Sequence, residues 1–153
     1  MNALTTNQQT IPTMTDEAVD AVRRVEGIIA TCPQLPVLTR HILHGGMYSR
    51  TVTIPKGAVF TGTLIEVPTI LIVNGHATIF IGEESITVEG YHCFAAAVGR
   101  KQAFITHEDT TFTMIFATNA ETVEEAEEQF TDEAHILASR LPDSQNIITI
   151  TGE

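Results

Sequence analysis

Positive charge is scarce in this chain. Eight Lys and Arg stand against nineteen Asp and Glu, a net charge of −11, and so acidic a surface repels the phosphate backbone, which excludes general nucleic-acid binding. The basic residues are also dispersed, with Arg23-Arg24 and Arg100-Lys101 as the adjacent pairs. For such a pair in a loop, plain solvation is the ordinary expectation. Cysteine is nearly absent: Cys32 and Cys93 are the two copies, too few for a disulfide scaffold and without the CxxC spacing of a metal site. A reducing compartment, the cytoplasm, follows. No apolar run approaches the roughly 18 residues that cross a bilayer. Residues 1–14 have neither a basic start nor an apolar centre, so neither a membrane anchor nor a signal peptide is expected there.

What is present suits one domain. The 153 residues are 43% apolar, enough for a single core spanning 15–153 behind a flexible polar arm, 1–14. Thr15 followed by Asp16 and Glu17 is an N-cap with acids in the first turn, and Val19, Val22, Val25 and Ile29 form a stripe, so a helix is predicted over 15–31. Cys32-Pro33 and Pro36 stop it. From Leu38 to Ala117 the pattern changes to short β-rich runs: 38–44, 48–54, 58–65, 69–73, 76–81, 85–88, 92–96, 102–106 and 111–117. Asn74-Gly75, between two apolar runs, predicts a type I′ hairpin turn. Thr118 and Glu121 fit a capping box for a second helix, 119–140, whose stripe is Val123, Ala126, Phe130, Ala134 and Leu137 and whose Glu124, Glu125, Glu127 and Glu128 face water. A closing strand or tail is expected over 146–153.

The order of turns in the β region resembles the cupin superfamily, whose two motifs read G-x5-H-x-H-x3-4-E-x6-G and G-x5-P-x-G-x2-H-x3-N. Ile54-Pro55-Lys56-Gly57 looks like the opening of the first and Asn74-Gly75 like its closing turn. Val88-Glu89-Gly90 and Val98-Gly99-Arg100-Lys101-Gln102-Ala103-Phe104 stand where the second lies. The implied fold is mainly β: a cupin-like jelly-roll β-barrel flanked by an N-terminal and a C-terminal α-helix. Homodimerisation is implied as well. Counting back from Gly75 puts the family glutamate at Pro68 and its paired histidines within Thr61 to Leu64; counting forward from Gly57 puts the pair at Thr63 and Ile65. The last histidine position falls on Gln102, whose amide is a poor transition-metal ligand. No metal or other cofactor is therefore expected. Met47 to Arg50, Gly99 to Phe104 and His107 to Thr110 also resemble small tailed-bacteriophage proteins, which implies the host cytoplasm or the virion as location.

The matched positions imply a ligand lining of Thr61, Thr63, Gln102 and Glu66, with Arg100 and Lys101 as an anionic handle and His107 nearby. Such a set suits a small neutral or anionic ligand, held rather than transformed. The expected role is non-catalytic: a small-molecule binder, or an interaction protein that meets virion proteins. Two enzymatic alternatives stand beside it. His107 as base with Tyr48 or Tyr91 as acid would serve a metal-free epimerase or isomerase. A displaced metal site would draw on His41, His44, Glu66 and His92, although His41 and His44, three apart on a strand, point to opposite sides.

Overall fold

The computed structural model describes residues 9–153. Its strands are β1 (Thr10–Ile11), β2 (Leu38–His44), β3 (Met47–Ile54), β4 (Val59–Thr61), β5 (Thr69–Ile81), β6 (Glu84–Ala96), β7 (Ala103–Thr106), β8 (Thr110–Ala117) and β9 (Gln145–Ile150); its helices are α1 (Asp16–Ile29) and α2 (Val123–Phe130). The main path of the sheet runs β1-β6-β5-β8-β3-β2-β9, with β7 joined to β5 and β4 to β7. Of the segment expected as a polar arm, residues 1–8 lie outside the described residues. Thr10 and Ile11 pair in parallel with Ala95 and Ala96, and Ile11 is fully buried.

The predicted hairpin at Asn74-Gly75 does not form. β5 passes straight through those residues, and β6 pairs with it along its whole length from Thr69↔Ala96 to Ile81↔Glu84, so the two-residue turn is Gly82-Glu83. Gly90, expected to divide two strands, likewise lies within β6 and faces Gly75 across the ladder. The reason is a change of neighbour. Ile70–Asn74 pair with β8, Ala77–Phe80 pair with β7, and the β7–β8 turn between them presses on Gly75. A Cβ there would sit 2.5 Å from Thr110 Oγ1 and 2.7 Å from the Asp109 carbonyl oxygen, at a φ of +146°. Glycine at this point serves close approach rather than reversal. The alternation also keeps its phase through it, since Leu71, Val73, Ala77 and Ile79 are all buried.

The main core fills the space between the layers, with Ile54, Leu71, Val73, Ile79, Phe104 and Phe112 among its members. Thr15 caps α1 as predicted and accepts the Ala18 amide proton. Val19 and Val22 seat this helix against Leu64 and Ile81, whereas Val25, later in the stripe, is exposed.

The second helix is shorter than its stripe suggests. Thr122, not Thr118, is its N-cap and accepts from the Glu125 amide; Thr118 instead accepts from the Ala120 amide and donates to the Gln129 side chain. α2 stops at Phe130 because Thr131 turns extended, at φ −156° and ψ 144°, and its hydroxyl takes the Glu133 amide. Two 3-10 turns, Ala134–Ile136 and Ala138–Arg140, complete the segment. All five residues of the predicted stripe are buried against Tyr48, Met114 and Phe116. Glu127 is buried as well, contrary to the expectation that it faces water.

Candidate functional site

A half-open cavity of about 150 Å³ lies in the barrel. Its apolar wall is an aromatic cluster: Phe60 stacks on Phe104 at 4.7 Å between ring centres, and Phe112 meets both edge-on. Met114 adds to this wall, and Phe130 with Ile136 to Ala138 close one end. Thr61 ends β4, Thr63 follows just beyond it, and Arg100 and Gln102 lie just ahead of β7. All four line the cavity.

Three of these are polar groups taken out of water. Arg100 is 2% exposed. It donates to the Ala97 carbonyl oxygen and to Thr69 Oγ1 (2.6 Å), and it meets no carboxylate among the described residues. Burial alone pushes its pKa down to about 10. Gln102 Nε2 and Thr63 Oγ1 are buried without a hydrogen-bond partner among the described residues. Unpaired buried groups of this kind cost stability, and two of them beside a buried arginine around one space call for a specific reason.

A wider cleft of about 550 Å³ adjoins the cavity and shares Ile54, Phe60, Thr61, Thr63, Ile136 and Ala138 with it. Its far wall is α1 and its C-cap, through Glu26, Gly27 and Ala30. Lys101 holds that wall. Between Arg100 and Gln102, Lys101 is 0% exposed and lies 2.8 Å from both Glu26 and Glu133. Glu133 also receives Arg23 and the Leu64 amide. Burial works against its charge, yet the bonds from Lys101, Leu64 and Arg23 outweigh it and hold the carboxyl at about 2. The solvated pair expected at positions 100 and 101 is therefore two buried cations with separate tasks. Lys101 belongs to the latch of α1 and does not line the cavity.

The remaining candidates lie elsewhere. Glu66 is exposed and absent from the cavity lining. His107 is exposed at the β7–β8 turn, where it shares a hydrogen bond with Thr78 Oγ1 at 2.8 Å. Tyr91 is 65% exposed on β6, while Tyr48 is fully buried and pushed up to about 12 chiefly by burial. None of these three is hydrogen-bonded to another among the described residues. His41 is buried and bonds Tyr48 OH and Asn146 Oδ1, both at 2.7 Å. His44 faces out toward Thr151, and His92 bonds the Glu89 carbonyl oxygen. With Glu66 they form no metal-binding group among the described residues.

One polar cluster went unanticipated. Arg50 donates to Glu127 Oε2 (2.7 Å) and Ser139 Oγ (3.0 Å), Ser139 donates to Glu127 Oε2 (2.6 Å), and Arg140 donates to Glu127 Oε1 (3.0 Å). Burial opposes the charge of Glu127, but the bonds from Ser139, Arg50 and Arg140 hold its pKa below the ordinary range. The signal was present in the chain. Arg50 shares the parity of Tyr48, Val52 and Ile54, and Glu127 sits one turn from Val123 on the apolar stripe.

No protein-family model and no curated protein matches the sequence. Solved structures do resemble the fold. A cupin superfamily protein from Desulfitobacterium hafniense aligns with 74% of this chain and 100% of its own, at 10% identity and a TM-score of 0.46. A cupin-2 domain protein from Shewanella frigidimarina aligns with 60% of this chain and 90% of its own, at 14% identity and a TM-score of 0.44. A cupin 2 conserved barrel protein from Leptotrichia buccalis aligns with 58% and 44%, at 15% identity and a TM-score of 0.44. In fold, then, the chain is similar to the cupin barrels: mainly β, with one helix before its principal strands and one after them.

Proposed function

We propose that this cupin-like protein is a non-catalytic binder of a small molecule, which it holds in the barrel cavity. The observation that supports this reading is one space lined by two partnerless polar atoms, Gln102 Nε2 and Thr63 Oγ1, and by a buried Arg100 that has hydrogen bonds but no carboxylate among the described residues. Cavities without polar demand stay dry and apolar; this one carries donors on one side and aromatic rings on the other, the division typical of a ligand site. Its volume suits a ligand of about six to eight non-hydrogen atoms. The neighbouring cleft supplies the entrance. Protein-observed NMR against a set of fragments of that size tests the reading. Binders should shift Thr63, Phe104 and Met114 together, whereas a set that shifts only surface residues would overturn it.

A second reading, an interaction protein, draws on β9. It ends the sheet, and all six of its residues are exposed, Ile147, Ile148 and Ile150 among them. An uncharged apolar edge of this kind invites another strand. Pairing of two copies there would give the homodimer, and the resemblance to tailed-phage proteins would make virion components and the host cytoplasm its setting. Size-exclusion chromatography with light scattering of wild type and Ile148→Lys decides it: a dimer that the substitution dissociates supports this reading, and a wild-type monomer removes the homodimer.

A further inference from the structure

We infer that the molecule held in the barrel is a small carboxylate, its carboxyl group set between the Arg100 guanidinium and the side chains of Gln102 and Thr63 and its apolar remainder laid on the Phe60, Phe104 and Phe112 rings. This rests on the binding reading above and adds the chemical class. The argument begins with the balance of hydrogen-bonding capacity. A guanidinium carries five N–H donors, and Arg100 uses one on the Ala97 carbonyl oxygen and one on Thr69 Oγ1. Gln102 Nε2 and Thr63 Oγ1 have no hydrogen-bond partner among the described residues, and Arg100 makes no further side-chain hydrogen bond there. The unmet N–H donors of Gln102 and the spare N–H groups of Arg100 ask acceptors of an occupant, and the Thr63 hydroxyl can donate to it as well as accept.

Charge narrows the choice further. Every other buried cation of this protein has its carboxylate: Arg50 has Glu127, and Lys101 has Glu26 and Glu133. Arg100 has none among the described residues, and residues 1–8 contain no Asp or Glu. An anion in the cavity fills that place. A single planar guanidinium matches a planar carboxylate by paired parallel bonds, whereas a tetrahedral dianion needs more positive charge than one arginine offers. The aromatic wall then favours an organic acid with an apolar body over an inorganic oxyanion. Of the residues that the cupin resemblance grouped as an anionic handle, the structure assigns the task to Arg100, since Lys101 is committed to Glu26 and Glu133.

The test is calorimetric titration of the full chain, at one ionic strength, with butyrate and 3-methylbutyrate, their neutral amides and inorganic phosphate. At least tenfold tighter binding of a carboxylate than of its matched amide is expected, with phosphate weaker than either organic acid. Arg100→Gln should abolish that preference, weakening the carboxylate at least tenfold more than its amide. Should that variant fail to fold, Gln102→Leu carries the same question: it should weaken carboxylate binding about tenfold while raising the unliganded midpoint of thermal unfolding, because it removes a buried amide that has no partner. A fall in that midpoint would mark Gln102 as a structural residue and count against the inference. Equal binding of acid and amide, or tighter binding of phosphate, would overturn the carboxylate and leave the binding reading standing. Absence of binding by every acid, while fragments still shift Thr63, Phe104 and Met114, would do the same. Absence of any perturbation in the cavity would remove both.

Discussion

Substitution of Gly75 by alanine isolates the force that shapes the barrel at its bend. The added Cβ would lie 2.5 Å from Thr110 Oγ1 and 2.7 and 2.8 Å from the Asp109 carbonyl oxygen and Thr110 Cα, and two of these three atoms are backbone that no rotamer change can move. Overpacking of this kind costs about 1–3 kcal/mol, and an L-residue at positive φ costs about 1–2 kcal/mol more. The sum, about 2–5 kcal/mol, is a large part of the roughly 5–15 kcal/mol that keeps a domain folded. Gly90 is the internal control. It stands opposite Gly75, has a φ of +82°, and would place a Cβ in open space, so Gly90→Ala should cost only the strain of about 1–2 kcal/mol. In urea, at an m-value of about 2 kcal/mol/M, the midpoint should fall by about 1–2.5 M for Gly75→Ala and by about 0.5–1 M for Gly90→Ala. A shift for Gly75→Ala no larger than that for Gly90→Ala would refute the claim that the β7–β8 turn demands glycine there.

Three further outcomes are expected. Glu127→Ala strands the buried Arg50 and should cost about 3–5 kcal/mol, whereas the joint change Arg50→Met with Glu127→Leu should cost much less in the same urea titration. Glu133 is held at about 2 against an ordinary 4.5, so its contribution is complete above about 4.5 and is lost as pH falls toward 2; Glu133→Gln should flatten that limb of a stability-against-pH profile. Burial lowers the pKa of His41 from 6.5, and Arg50 adds to this while the bond to Asn146 opposes it. The unfolded chain therefore binds this proton first, and stability should decline as pH drops below about 6.5. NMR titration should find the His41 ring still neutral where an unfolded chain is half protonated.

Local signals carried far in this chain. The cap at Thr15, the full length of β2 and the buried stripe from Val123 to Leu137 were all legible, because each depends on neighbours within a few residues. Asn74-Gly75 was misread because the local turn preference competes with a long-range demand, the packing of the β7–β8 turn, which lies some 35 residues further on (75 to 110). The second helix was overextended for a related reason: Glu133 leaves the helical path for Lys101, a partner on a distant strand connection. The positions matched to the cupin motifs, Thr61, Thr63 and Gln102, do line one cavity together with Arg100, whereas Lys101 goes to Glu26 and Glu133, partners some 30 or more residues away that no local pattern reveals. Glu127 was hidden by composition, since it stands in an acidic run and reads as solvated until Arg50 is seen opposite.

The long β5–β6 hairpin belongs to both layers of the barrel, and this makes its turn a shared reference for the whole sheet. Residue pairing from Thr69↔Ala96 to Ile81↔Glu84 is set by one two-residue reversal at Gly82-Glu83, and β7 and β8 read their own alignment from opposite halves of the same strand. A slip of one residue would invert the faces of both layers at once, exposing Leu71, Val73, Ala77 and Ile79 together. Mistakes in this strand are thus all-or-none. Because the hairpin joins residues close in sequence, it can also close early, before the distant pairing of β2 with β9 is possible.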